Sequence, residues 1–171
     1  IELTTSVFAS EGAIDIQVSA TEQERQRFWS GRKNAFPAVG RISPDYYCID
    51  GTIPRQQLGR VLAGITELSS TYGLRIANVF HAGDGNLHPL ILYDGAQPGE
   101  FARTEELGGK ILELCVKAGG TITGEPVVGL SKIHQLSAHF ESSALYHFHG
   151  VKASFDPRVL LNPRQSVLTL A

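Results

Sequence analysis

Apolar residues recur along the chain in two rhythms. Leu58, Val61, Leu62, Ile65 and Leu68 fall three and four apart, as do Leu107, Ile111, Leu114, Cys115 and Ala118, the spacing that gathers side chains on one helical face. Pro54 suits the opening of the first helix, and Gly73 and Gly119-Gly120 are helix-ending residues. Elsewhere the alternation is by twos. Residues 13–20 set Ile14, Ile16 and Val18 against Asp15, Gln17 and Ser19, which predicts a strand with one buried face. Thr21 with Glu24 forms a capping box and opens a helix through Phe28 and Trp29 to Lys33. Residues 34–44, with Pro37, Gly40 and Pro44, read as a loop. Strands are predicted at 46–50, 74–81, 87–93 and 121–123, the middle two joined by Ala82-Gly83-Asp84-Gly85-Asn86.

Residues 45–123 therefore read β-α-β-β-α-β, the ferredoxin-like order of an α+β fold with two helices on one face of an antiparallel sheet. Residues 1–44 look like the end of a second such unit. Residues 124–171 are helical over 130–139 and 142–154, then extended past Asp156-Pro157 and Asn162-Pro163. A single domain over residues 1–171 is expected.

The 171 residues are 42% hydrophobic, enough for one compact core. A net charge of -2 supplies no field for nucleic acid. No apolar run approaches the ~20 residues of a transmembrane segment, and a cytoplasmic location is expected. Cys48 and Cys115 read as reduced core residues. The chain has no Met and opens on Ile1 within a pattern, so an upstream segment is expected.

Chemistry concentrates in Phe80-His81-Ala82-Gly83-Asp84-Gly85-Asn86-Leu87-His88-Pro89. Pairing Phe80 with Pro89 and Val79 with Leu90 sets His81 opposite His88, with Cβ atoms ~5 Å apart. Two imidazoles so placed can ligate one ion, or be simple polar residues at a hairpin end. Glu125, after the last strand, either completes a two-histidine, one-carboxylate site for zinc, manganese or iron or complements the dipole of the next helix. Arg32 either satisfies a helix C-terminus or clamps a substrate carboxylate. Trp29 reads as a core anchor, and His134, His139, His147 and His149 as surface or satisfied core groups. Gly83-Asp84-Gly85 joins two strands and is no dinucleotide fingerprint; neither a phosphate-binding P-loop nor a GxSxG nucleophile elbow is present.

Arg32-Lys33-Asn34-Ala35-Phe36-Pro37, the run from Asp45 to Pro54, the histidine hairpin, Phe155-Asp156-Pro157 and Leu161-Asn162-Pro163 resemble the C-terminal domain of FAD-linked oxidases, the group that holds glycolate oxidase and the D-lactate and D-2-hydroxyglutarate dehydrogenases. The resemblance implies a cap over a flavin held by a separate FAD-binding domain, in cis or in trans. It implies oxidation of a small 2-hydroxy acid, with hydride passing to FAD. It further implies a divalent metal on His81, His88 and Glu125, a substrate carboxylate on Arg32, and Asn162 near the flavin. Electrons would pass to an iron-sulfur protein or to quinones, with the protein cytoplasmic or peripheral at the inner membrane face.

The family motif Gly-Glu-His-Gly-Val-Gly stands here as Gly124-Glu125-Pro126-Val127-Val128-Gly129. Pro126 occupies the place of the general base and can neither accept a proton nor ligate a metal. No catalytic residue is then intact, and the isolated chain is expected to be inactive. The alternative is a non-catalytic paralogue or assembly subunit.

Overall fold

The computed structural model describes residues 1–124 and 130–162, and at 130, 131, 134 and 138 the backbone alone. Residues 1–38 and 39–171 form two compact units.

The first unit holds α1 (Glu2–Ser10) and α2 (Glu22–Lys33). Thr21 Oγ1 accepts from the Glu24 N–H at 3.2 Å, and Glu24 Oε2 accepts from Ala20 N–H at 2.8 Å, one residue before the cap. Residues 13–20, expected as a strand, are irregular, and Ile14 is fully exposed. Alternation describes a face, but a strand also needs a neighbour for its N–H and C=O groups, and none pairs with it among the described residues. Trp29, expected in the core, is 50% exposed, with the Arg32 guanidinium carbon 5.9 Å from its ring centroid. A short helix, α3 (Ala35–Val39), forms in the expected loop. Pro37 is its third residue, where no intrahelical N–H bond is forfeited.

The second unit is built on β1 (Asp45–Cys48), β2 (Gly51–Thr52), β3 (Ile76–His81) and β4 (Asn86–Tyr93). Central β4 runs antiparallel to β3 on one side and to β1 and β2 on the other. The expected strand at 121–123 is reduced to one bridge, with Thr121 N–H donating to Thr52 O at 2.8 Å and Thr52 N–H to Thr121 O at 3.1 Å. Backbones meet closely here: a Cβ on Gly120 would lie 1.9 Å from Thr52 O. The sheet keeps the ferredoxin-like order, with its last member shortened.

A 3-10 turn (Arg55–Gln57) leads into α4 (Leu58–Tyr72), and α5 (Glu100–Lys117) follows β4. Val61 and Ile65 of α4 and Leu107, Ile111 and Cys115 of α5 are buried in one cluster with Leu87 and Ile91 of β4, as the helical spacing predicted; Leu112, off the expected face, is buried with them, while Leu62, Leu114 and Ala118 are only partly buried. Each such aliphatic side chain contributes about 1.5–3 kcal/mol by leaving water. Cys115 is buried, but Cys48 is exposed, because β1 packs Tyr47 against the core under the helices and turns Cys48 to the opposite face. The helix expected over 130–139 is a 3-10 stretch (Leu130–Gln135) running into α6 (Leu136–His139), and Ile133 and Leu136 join the core. Next comes α7 (Ser142–Phe155). Beyond it buried Asp156 accepts from Lys152 Nζ at 2.7 Å and from the N–H groups of Leu160 at 2.8 Å and Leu161 at 2.9 Å. The Lys152 hydrogen bond, chief among these, holds its carboxyl below the ordinary range against the opposing effect of burial.

Candidate functional site

The hairpin that carries His81 and His88 closes through a four-residue loop. His81 O accepts from Asp84 N–H at 3.0 Å and Gly85 N–H at 2.9 Å, and Gly85 has φ 74°. Gly85 O in turn accepts from Ile53 N–H at 2.9 Å, and a Cβ on Gly85 would stand 2.1 Å from Ile53 O. That closure fixes the register at His81 with Asn86 and Val79 with His88, two residues from the expected pairing. A shift of two preserves the face. The histidines are therefore diagonal neighbours on the face away from α4 and α5, their ring centroids 5.5 Å apart and the planes at 83°.

The strand on the other side of β4 brings a carboxylate to the same place. Cys48 pairs with Leu90 and Gly51 with Leu87, one continuous offset, so intervening Asp50 falls beside His88. Its Oδ1 lies 3.7 Å from His88 Nδ1. Its Oδ2 accepts from Thr123 Oγ1 at 2.7 Å, Gly124 N–H at 2.8 Å and Lys132 Nζ at 3.2 Å. Lys132 Nζ also donates to Asp50 O at 2.6 Å. Burial works to raise the Asp50 pKa, but the Thr123 and Gly124 hydrogen bonds and the Lys132 ammonium outweigh it and hold the carboxyl below its ordinary value.

Three acceptors in this corner, Asp50 Oδ1, Thr52 Oγ1 and Asn86 Oδ1, are buried with no hydrogen-bond partner among the described residues. Thr52 pairs with Asn86, and Asn86 with His81, so all belong to the end of the sheet that carries the histidines. Buried polar atoms are normally satisfied. A cation, water or a ligand hydroxyl is the chemistry that would satisfy them.

Of the residues singled out from sequence, His81 and His88 come together here. Glu125 and Pro126 lie outside the described residues. Gly124, the residue before them, is in the corner, and a Cβ on it would come 2.6 Å from Asn86 Oδ1. Arg32 belongs to the first unit and ends α2, exposed above Trp29. Asn162 is exposed at a left-handed turn with φ 45°, just past the Asp156 knot. Among the other histidines, His147 is exposed, and His139 packs edge-on to Phe140, its buried Nδ1 without a hydrogen-bond partner among the described residues. The His134 side chain lies outside what the structure describes.

Imidazole nitrogens with a neighbouring carboxylate suit zinc, manganese or iron, and the orphaned oxygens fit a cation nearby. No group of three His, Cys, Asp or Glu side chains is arranged to hold a metal among the described residues. Asp50 and Lys132 were missed from sequence. The signal for Asp50 was its place in step with Tyr46 and Cys48, two residues apart on the same strand face; nothing local marked Lys132, which lies 82 residues from its partner. Among the described residues no helix is long and apolar enough to cross a membrane.

Comparison with known proteins places the chain. The family described as FAD linked oxidases, C-terminal domain, matches over residues 1–166. The chain is 62% identical over 169 residues to glycolate oxidase subunit GlcD of Escherichia coli K12, covering 99% of this chain and 34% of that protein. It is 34% identical over 151 residues to the Bacillus subtilis protein of the same name, covering 88% of this chain and 32% of the relative. A D-lactate dehydrogenase of Archaeoglobus fulgidus is 29% identical over 171 residues, 99% of this chain and 37% of the relative. The chain thus spans about a third of the length of these curated relatives. With the motifs, the α+β sheet and a match along nearly all its residues, the chain belongs to the FAD-linked oxidase C-terminal domain family.

Proposed function

We propose that this chain is the substrate- and metal-binding cap of an FAD-dependent 2-hydroxy-acid oxidoreductase of glycolate or D-lactate type. The observation that carries the reading is the His81 and His88 ring pair, set beside three buried oxygens that have no hydrogen-bond partner among the described residues, at one corner of the sheet. In this reading residues 1–44, 45–123 and 124–171 are parts of one C-terminal domain, and a separate FAD-binding domain completes the enzyme in cis or in trans. A small 2-hydroxy acid is the substrate, and an iron-sulfur protein is the partner for onward electron transfer. The location is cytoplasmic or at the inner membrane face.

FAD, when bound, supplies the hydride acceptor for the substrate α-carbon. His81, His88 and Glu125 would hold a divalent ion, which would supply Lewis acidity toward the substrate hydroxyl. The chain's own residues bind and orient. His81 and His88 offer ring nitrogens from the β3–β4 hairpin, and Arg32, by the family resemblance, would offer a planar fork to the substrate carboxylate. Asn162, by the family resemblance, would lie near the flavin. Pro126 holds no proton and takes none, so this chain supplies no base at that position.

Anaerobic addition of glycolate and of D-lactate to the full-length flavoprotein tests the reading. Bleaching of the visible flavin band supports it, and an unchanged band with every small 2-hydroxy acid refutes it. Pro126 favours the second reading, a non-catalytic relative or assembly subunit. Activity that appears only after Pro126→His with Val127→Gly decides for that reading.

A further inference from the structure

Asp50 has no part in the ligand set above, yet the corner is built around it. Its two oxygens have different duties. Oδ2 collects Thr123 Oγ1, Gly124 N–H and Lys132 Nζ, while Oδ1, buried and without a hydrogen bond among the described residues, faces His88 Nδ1 at 3.7 Å. The side chains of Asp50 and His88 are 12% and 15% exposed, so solvent screens their interaction little. The Lys132 side chain, 13% exposed, supplies a compensating positive charge.

We propose that Asp50 is a positioning residue for His88, holding its proton on Nδ1 and so leaving Nε2 unprotonated. A ring nitrogen can ligate a metal or accept a proton only when bare, and a partner on one nitrogen selects the tautomer that bares the other. At 3.7 Å the pair is longer than a hydrogen bond, so the preference for the proton on Nδ1 rests on the attraction between that N–H and the half-desolvated carboxylate charge. The inference rests on His88 being a functional ligand, as proposed above, but it makes a claim about the free protein that can be read without metal.

Asp50→Asn gives the sharpest contrast. Three donors converge on the Oδ2 position, so the amide oxygen stays there and the NH2 turns to His88. That NH2 donates to Nδ1, and the imidazole proton moves to Nε2. The side chain changes little in shape, and Lys132 keeps its bond to the backbone carbonyl of residue 50.

The experiment is nitrogen NMR on the full-length, metal-free protein with ¹⁵N-labelled histidine at about pH 8, above the ordinary imidazole range. The native protein is expected to show His88 with Nδ1 protonated and Nε2 bare, and Asp50→Asn the reverse. Titration of each with zinc and with manganese then reads affinity, expected to fall about 10–100-fold in the variant. A native His88 protonated on Nε2 overturns the proposal even if the variant fails to fold. An unchanged tautomer in a folded variant overturns it as well. The expected tautomers together with no metal binding by the native protein would leave Asp50's role standing and sink the metal reading instead.

Discussion

Gly85→Ala is the perturbation that most directly probes how the hairpin places its histidines. The residue has φ 74°, its carbonyl accepts from Ile53 N–H at 2.9 Å, and an added Cβ would stand 2.1 Å from Ile53 O. The left-handed conformation costs a non-glycine residue about 1–2 kcal/mol. Relief of the clash requires the loop to lift from Ile53, losing a hydrogen bond worth about 0.5–1.5 kcal/mol. The sum is about 1.5–3.5 kcal/mol, or roughly 10- to 300-fold in the population of the closed hairpin at 1.4 kcal/mol per factor of ten. Gly83→Ala is the internal control, since nothing lies within 4 Å of its Cβ position and its φ is not positive; surface changes of that kind stay within about 0.5 kcal/mol. Native-state hydrogen exchange at the Ile53 and His88 amides reads the local opening free energy in both variants. Equal protection in the two would refute the claim that Gly85 anchors the register.

Other perturbations have equally direct expectations. Lys132→Met leaves the buried Asp50 carboxylate without its cation and is expected to cost about 3–5 kcal/mol in urea unfolding; a loss below about 1 kcal/mol, the range of an exposed pair, would show it to be dispensable. Because the folded pKa of Asp50 is lowered, the unfolded state binds more protons as pH falls past the ordinary carboxylate range. The Asp50 contribution is thus complete at neutral pH and lost as pH falls through its folded value, and Asp50→Asn should flatten that acid limb. Ile111→Ala empties a fully buried site against β4 and should cost about 2–5 kcal/mol by denaturant melt. Burial pushes the Cys115 thiol up to about 11, so an alkylating reagent should reach it only after unfolding, and its labelling in the native protein would contradict the core assignment.

The parts of the fold legible in the sequence are those where one periodicity has one partner. The spacing in α4 and α5 is wide enough in apolar residues to name the buried face, and the sheet they cover follows from chain order. Residues 13–20 show the opposite case: Ile14, Ile16 and Val18 alternate without a break and form no strand, because period two says nothing about which edge will pair. The hairpin lies between these. Its existence and the shared face of His81 and His88 were readable, but the register was two residues off, because it is set by Gly85 turning left-handed and docking on Ile53, a contact distant in sequence. The site was half legible for the same reason. Histidines flanking a glycine-rich turn stand out, whereas Asp50 looks like any polar strand residue until Lys132, Thr123 and Gly124 converge on it.

The most direct test of the histidine pair as a metal site is the divalent-ion content of the full-length protein by elemental mass spectrometry after exhaustive dialysis, alongside His81→Ala and His88→Ala. Close to one zinc, manganese or iron per chain is expected in the native protein, with loss of the ion in both variants while the fold is retained. A native protein free of bound ion after reconstitution, or variants that keep it, would contradict a metal site on this pair.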